Sequence, residues 1–160
     1  MKSSLHETLK LGARRVIART SYPEIPDNCR RRQKIMIATR LETLAKLEEG
    51  WLDGKGYAPD KTQLAWLSTA FDTFYDPGLP LPYLYPTAEG GVQAEWSLGD
   101  WEISLEIDLA GQVAEWQALN LNTQACRDDN LNLAKPEDWQ KLNQNLQKLT
   151  VENSIFQKKA

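Results

Sequence analysis

The sequence contains little of the chemistry on which most catalytic sites depend. Its 160 residues include a single histidine, His6, and only two cysteines, Cys29 and Cys126. One histidine near the start of the chain is a poor basis for a Ser–His or Cys–His pair, and two cysteines supply neither a disulfide framework nor a zinc site. The sequence therefore favours a protein with no catalytic residues, no metal and no cofactor, and with reduced thiols as in the cytoplasm.

Long apolar runs are also absent. No segment approaches the roughly 18 apolar residues that a membrane-crossing helix needs, and residues 1–15 lack the apolar stretch of a signal peptide. Hydrophobic residues make up 41% and charged residues 26% of the chain, as in an ordinary globular domain. These values exclude collagen-like, coiled-coil and wholly disordered classes, and they predict a cytoplasmic domain without membrane contact.

Positive charge is missing from the middle of the chain, where no lysine or arginine occurs between Lys61 and Arg127. Residues 1–40 contain ten Lys/Arg and three Asp/Glu, a net charge of +7. Residues 41–160 contain nine Lys/Arg and nineteen Asp/Glu, a net charge of −10. This polarity is typical of a basic arm joined to an acidic domain. Either the two surfaces bind different partners, or the basic segment lies on the acidic domain and neutralises it.

The apolar spacing predicts where the arm ends and where the helices lie. Residues 1–29 are predicted to be a basic N-terminal arm or short helix, because two prolines near its end interrupt regular structure, and residues 30–156 a single domain. Apolar residues at three- and four-residue steps predict a helix over about 30–50. A second helix is predicted to begin after Asp60 and a third at Pro136.

The apolar period changes to two residues in the second half of the chain. Alternating runs over residues 92–97, 101–109 and 113–121 are joined by short turns, which predicts an antiparallel meander with one buried face. A short edge strand near 131–133 would be a fourth. The predicted fold class is α+β, with two N-terminal helices, a three- or four-stranded antiparallel meander, and a C-terminal helix packed on one sheet face. The predicted core contains Leu41, Leu44, Leu67, Phe71, Trp96, Ile103, Leu105, Ile107, Trp116, Trp139 and Leu146.

The polar face of the predicted meander is acidic. Glu102, Glu106 and Asp108 lie at alternate positions of one strand, and Glu95 is expected on the same face of the neighbouring strand. We interpret this face as a binding surface for a basic protein. A divalent cation held between facing carboxylates, as in metal-dependent hydrolases, is an alternative. A solvated sheet face without a partner is the simplest interpretation.

Two further surfaces are candidates for binding. Trp51 and Trp101 lie at predicted turn edges, and together with Tyr83 and Tyr85 they form an aromatic edge that we expect to be partly exposed. A basic cluster has the composition of a contact for nucleic acid or an acidic partner, although no helix-turn-helix, zinc-finger or RNA-binding motif accompanies it. Its members are Arg14, Arg15, Arg19, Arg30, Arg31, Arg32 and Lys34.

Two segments resemble a group of small bacterial proteins of unknown function. Residues 50–54, Gly-Trp-Leu-Asp-Gly, are similar to a G-W-x-x-G segment of these proteins, and residues 86–96 are similar to their P-T-x-E-G-G-V-x-x-E-W strand signature. The resemblance covers about residues 41–150. Some of these proteins are encoded beside toxin–antitoxin or phage-defence genes. The resemblance implies a bacterial domain of the same fold, and it implies no catalytic residue.

Together these features predict a non-enzymatic protein-interaction module that binds a basic partner through the acidic sheet face. An antitoxin or accessory factor of a toxin–antitoxin or phage-defence pair fits this description. The first alternative is a regulator that binds nucleic acid through residues 10–40. The second is a carboxylate- and metal-dependent hydrolase that uses Glu95, Glu102, Glu106 and Asp108.

Overall fold

The structure is a computed structural model that describes residues 26–159. Its elements are α1 (Asp27–Leu44), α2 (Lys61–Phe74), β1 (Tyr83–Pro86), β2 (Val92–Leu98), β3 (Trp101–Asp108), β4 (Val113–Asn120), β5 (Cys126–Asn132) and α3 (Pro136–Lys159). This is an α+β fold, as the sequence predicts. Most of the predicted basic arm over 1–29 lies outside the described residues. Within 26–159, no helix combines the length and the apolar character of a membrane-crossing segment.

In this part of the chain five strands form one antiparallel sheet, in which each strand pairs with the next along the sequence. The meander is therefore as predicted, but the expected number of three or four strands is wrong. β5 runs over Cys126–Asn132 instead of a short segment near 131–133. Its residues lack apolar alternation, and only Leu131 is buried. This segment is a strand because it pairs with β4, and the apolar pattern of its sequence does not predict that pairing.

The described helices cover one face of the sheet. Buried and exposed residues alternate along β2 and β3, so that Trp96 and Leu105 face the helices. These side chains form one cluster with Phe71 of α2 and with Trp139 and Leu146 of α3. Every residue predicted for the core is buried. Full burial of one such side chain stabilises the fold by about 1.5–3 kcal/mol.

α1 differs from the predicted helix at both ends. It begins at Asp27, directly after Pro26, and it ends at Leu44 instead of near residue 50. Leu44 is the last residue of the buried stripe of α1, and beyond it the chain enters tight turns. Gly50 lies within these turns and adopts a φ angle of 79°, a conformation that favours glycine.

A buried polar contact positions the chain that leads into β1. The Trp96 indole N–H donates to the Tyr75 hydroxyl oxygen (3.1 Å) and to the Pro80 carbonyl (3.0 Å). The Tyr75 hydroxyl in turn donates to the same Pro80 carbonyl. Burial raises the pKa of Tyr75 above its usual value, so the hydroxyl stays a donor throughout the physiological range. The contact ties Tyr75 and Pro80, which precede β1, to Trp96 of β2.

A carboxylate joins the end of β5 to the start of α3. The backbone N–H of Asn132 donates to Asp138 Oδ2 (2.6 Å), and Lys141 Nζ lies 3.5 Å from Asp138 Oδ1. The Asn132 hydrogen bond, more than the nearby Lys141 charge, holds the pKa of the Asp138 carboxyl below its usual value. Asp138 also lies in the first turn of α3, where the helix dipole favours negative charge.

We expect Asp138→Asn to lower the free energy of unfolding by about 1–2 kcal/mol at neutral pH, because a charged hydrogen bond is lost. The pKa is lower in the folded state, so the stabilisation is complete above the unfolded value of about 4 and disappears as the pH falls through the folded value. Urea unfolding across this pH range measures the difference between the two proteins. A difference that does not shrink in acid would contradict the role of the ionised carboxyl.

Candidate partner-binding face

The sheet face opposite the helices is open. The strand register places its side chains in rows that cross all the strands of the sheet. One row consists of Tyr83, Glu95, Ser104, Gln117 and Asp128, and the next consists of Tyr85, Gln93, Glu106, Glu115 and Asn130. Because side chains alternate along each strand, the same pleat that buries the core residues presents these rows to solvent.

The charged side chains on this face all have one sign. Its carboxylates, which we call the acidic face, are Glu95, Glu102, Glu106, Asp108, Glu115 and Asp128. Glu95 is half-buried and the others are exposed. None of the outward positions of β1–β5 is a lysine or arginine. The prediction that Glu95 shares a face with the three acids of β3 is confirmed.

The acidic face has no counter-charge within the described part of the chain. The ion pairs there join Lys34 to Asp72, Arg127 to Glu152 and Lys141 to Asp138. The side chains that donate to these carboxylates are uncharged: Ser97 Oγ donates to Glu102 (2.9 Å), and Gln93 Nε2 donates to Glu95 (2.8 Å). The alternative in which arginines neutralise this face is therefore not found among residues 26–159.

An open groove extends the acidic face at the end of the sheet. This end groove has a volume of about 720 Å³. The described side chains that line it include no lysine or arginine. They include the Tyr57 ring, which is 68% exposed, and the carboxylates of Glu89, Glu106, Asp108 and Glu115. The groove has the size and charge to accept cationic side chains.

Two adjacent glycines shape the wall of the end groove. Gly90 has a φ angle of 86°, which favours glycine in the turn before β2. A Cβ atom on Gly91 would lie 2.5 Å from the Ile107 carbonyl oxygen, so only glycine allows this turn to approach β3. The turn is also tied to Tyr57, whose backbone N–H donates to the Ala88 carbonyl (2.9 Å). The two glycines therefore serve the backbone geometry of the turn.

The predicted aromatic edge is only partly assembled. Tyr83 and Tyr85 are 71% and 43% exposed, and they lie on β1 at the side of the acidic face. Trp51 is half-buried, and its indole N–H donates to the Tyr57 carbonyl (3.1 Å), so it braces the turns before α2. Trp101 is 6% exposed, on the helix-covered side of β3. The expectation that Trp101 is partly exposed is wrong.

The burial of Trp101 follows from β5, which the sequence pattern did not predict at full length. The Arg127 guanidinium of β5 lies 4.7 Å from the centre of the Trp101 ring, a cation–π contact. The same guanidinium donates to the Glu152 carboxylate of α3 (3.1 Å). These contacts cover the ring from the side that a meander ending at β4 would leave open.

Only part of the predicted basic cluster lies within the described residues. Arg30, Arg31 and Arg32 are exposed on α1, and Lys34 pairs with Asp72 of α2 at 2.8 Å. Arg30 and Lys34 border a groove of about 620 Å³ between α1 and α2. The remaining members of the predicted cluster, Arg14, Arg15 and Arg19, lie outside the described residues.

The acidic face does not gather its carboxylates around one point. Within residues 26–159, no group of three or more His, Cys, Asp or Glu side chains is arranged to hold a metal ion. The described geometry thus gives no support to a hydrolase built on Glu95, Glu102, Glu106 and Asp108. Both cysteines, Cys29 and Cys126, are exposed free thiols.

Several residues of the site were missed in the sequence. Glu115 follows from the predicted alternation of β4, because Trp116 and Ala118 face the core. Asp128 has no such signal, since β5 lacks apolar alternation. Tyr57 and Glu89 reach the end groove from two separate turns, which only the folded chain brings together.

Comparison with known proteins adds no relative, since no protein-family model, no curated protein and no solved structure matches the chain. The function is therefore inferred from the residues and their geometry.

We expect Glu115→Lys to raise the free energy of unfolding by about 0.5–1 kcal/mol. Glu115 lies directly opposite Glu106, and like charges in a cross-strand pair are destabilising whereas opposite charges stabilise. Urea unfolding at low salt measures the gain, with Glu115→Gln as the control that removes repulsion without adding attraction. The gain should shrink at high salt, and an equal or lower stability of Glu115→Lys relative to Glu115→Gln would contradict a charge interaction between these two positions.

Proposed function

We propose that the protein is a non-enzymatic interaction module that binds a basic protein through the acidic face and the end groove. The observation that carries the proposal is a row-by-row array of carboxylates with no counter-charge among the described residues. Such an array lowers the stability of the free protein through repulsion, and a cationic partner removes that repulsion on binding. It also steers a positively charged surface toward the sheet before contact.

The shape of the site supports this proposal. The end groove is lined by six acidic residues, Asp60 and Asp138 among them, around a space large enough for several lysine or arginine side chains, with the Tyr57 ring beside them. A second concavity of about 580 Å³ lies further along the open face, beside Glu95, Glu102 and Asp128. Arg127 also borders it, but its guanidinium is paired with Glu152 of α3. At the β1 side, Tyr83 and Tyr85 offer rigid, amphipathic contact area of the kind enriched at protein interfaces.

The class of partner that fits best is a basic protein that acts on nucleic acid. A surface built to bind phosphates is basic, and a sheet face of carboxylates presents it with the same charge that phosphates do. We therefore propose an antitoxin or accessory factor in a toxin–antitoxin or phage-defence pair. This partner class agrees with the resemblance to small bacterial proteins, some of which are encoded beside such genes.

The test is a charge reversal on the acidic face. The tagged full-length protein is used to capture partners at low salt from an extract of the cells that encode it, with identification by mass spectrometry. We expect a basic protein in about equal amount, and we expect Glu102→Lys with Glu106→Lys to reduce its recovery and affinity at least about tenfold. Both side chains are exposed, so the double variant should fold.

The matched control is Glu42→Lys with Glu48→Lys, which makes the same change in net charge away from the sheet at two exposed positions. This variant should keep the partner. Circular dichroism and thermal unfolding confirm that both double variants are folded. Retention of the partner by the acidic-face variant, or loss of it in both variants alike, would contradict the proposal.

A second candidate function is nucleic-acid binding through α1. The observation that favours it is the exposure of Arg30, Arg31 and Arg32, none of which forms an ion pair in the described part of the chain. Binding of labelled duplex DNA and single-stranded RNA is measured over a range of salt concentrations. Contacts to phosphates would make affinity fall steeply with salt, and Arg31→Ala with Arg32→Ala would reduce the slope by about 2. A flat salt response would exclude this function.

A further inference from the structure

The two edge strands of the sheet, β1 and β5, differ in how many of their outward backbone groups can pair with another strand. At the first edge, the cross-strand pairs turn the backbone groups of Pro82, Leu84 and Pro86 away from β2. The two prolines have no N–H to offer, and the Leu84 carbonyl accepts a hydrogen bond from Arg40 Nε of α1 (2.8 Å). Of these three residues only Leu84 keeps an outward N–H, and α1 lies against the strand, so this edge offers little to a further strand.

The hydrogen bonds that flank β5 show which of its backbone groups point outward. The Leu133 N–H donates to the Gln112 carbonyl (2.8 Å), and the Ala125 carbonyl accepts from the Asn120 N–H (2.9 Å). Because the pattern alternates along an antiparallel pair, the odd-numbered residues of β5 bond to β4. Cys126, Asp128, Asn130 and Asn132 therefore direct their N–H and carbonyl groups away from the sheet.

Of these outward backbone groups, only those of the last residue, Asn132, have hydrogen-bond partners in the described chain. The Asn132 N–H donates to Asp138, and the Asn132 carbonyl accepts from the Lys135 N–H (3.0 Å). Among residues 26–159, no backbone hydrogen bond satisfies the outward groups of Cys126, Asp128 or Asn130. All three residues are exposed. Unpaired groups in such a row are a template for another strand.

The strand that carries this free edge is held in place from the helix side. Arg127 is fixed between the Trp101 ring and the Glu152 carboxylate, and Asn145 Nδ2 of α3 lies 3.5 Å from Asp129 Oδ2. With Leu131 buried in the core, alternate side chains of β5 are anchored along its length. A rigid edge binds an extended segment without first losing its own conformational freedom.

Charge selects the segment that fits. Asp128 lies at the centre of the free edge, and its side chain continues the row formed by Glu95 and Gln117 on the acidic face. An added strand would place every second side chain on that face, beside Asp128. A second copy of this chain pairing about Asp128 would oppose two like charges, which disfavours it. A segment with lysine or arginine at alternate positions is favoured.

We propose that the free edge of β5 is a strand-addition site for an extended, basic segment of the partner. The segment pairs with the outward backbone groups of Cys126, Asp128 and Asn130 and extends the sheet by one strand. Its alternate cationic side chains lie over the acidic face. This inference rests on the proposed function and adds to it the conformation in which the partner binds.

The test uses three synthetic peptides with the full-length protein. The first is a capped peptide of about ten residues that alternates lysine and valine. The other two have the same side chains, with N-methyl groups on every valine in one and on every lysine in the other. One version removes the N–H groups that strand pairing needs, whereas charge is unchanged in both.

We expect the unmodified peptide to bind and to slow hydrogen exchange of the Cys126, Asp128 and Asn130 amides at least about tenfold, as measured by NMR. One N-methylated version should lose about tenfold or more in affinity. Equal binding of all the peptides, or binding without protection of the three amides, would overturn strand addition while leaving a basic partner for the acidic face in place. No binding of the unmodified peptide would also overturn it, independently of the charge-reversal capture.

A protein variant tests the same edge without changing charge. Asn130→Pro removes an outward N–H that β4 does not use, and proline is tolerated on edge strands with that geometry. Asn130→Ala is the matched control, because it removes the same side chain and keeps the N–H. We expect the proline variant to bind the peptide about tenfold more weakly than the alanine variant, with both folded by circular dichroism. Equal affinities would contradict pairing at this edge.

Discussion

Burial of one face of the sheet under the helices is the interaction on which the rest of the structure depends. Trp96, Leu105 and Trp116 contribute from the strands, and Trp139 and Leu146 contribute from α3. Since side chains alternate along a strand, burying one set commits the other set to solvent. The register is fixed by the same burial, because a slip of one residue would exchange the two faces. The positions of the carboxylates on β2, β3 and β4 are therefore a consequence of core packing.

The acidic face retains a repulsion that the fold itself does not require. Glu106 and Glu115 lie opposite each other across β3 and β4, where a lysine would have formed a favourable pair. Elsewhere the chain does form ion pairs, as between Arg127 and Glu152. A surface that is less stable alone than it would be with mixed charges is characteristic of a binding surface, because the partner supplies the missing charge.

The edge strands of the sheet also concern association with a partner. An unpaired edge strand can pair with another chain, and in β1 the prolines and the hydrogen bond from Arg40 hinder such pairing. β5 has no such closure between Cys126 and Asn130 in the described chain, although α3 anchors its other side. Its central side chain, Asp128, is negatively charged and continues the acidic face. The proposed strand addition and the proposed binding of a basic partner to the face therefore depend on the same charge.

Local periodicity in the sequence is enough to predict the α+β class, the meander of β2–β4, the buried residues and the acids on β3. The remaining features depend on contacts between distant parts of the chain. β5 is a strand only through its pairing with β4, and that pairing placed Asp128 on the face and Arg127 over Trp101. The end groove joins turns that are distant in sequence. Contacts of this kind depend on how elements pack, and residue spacing does not encode them.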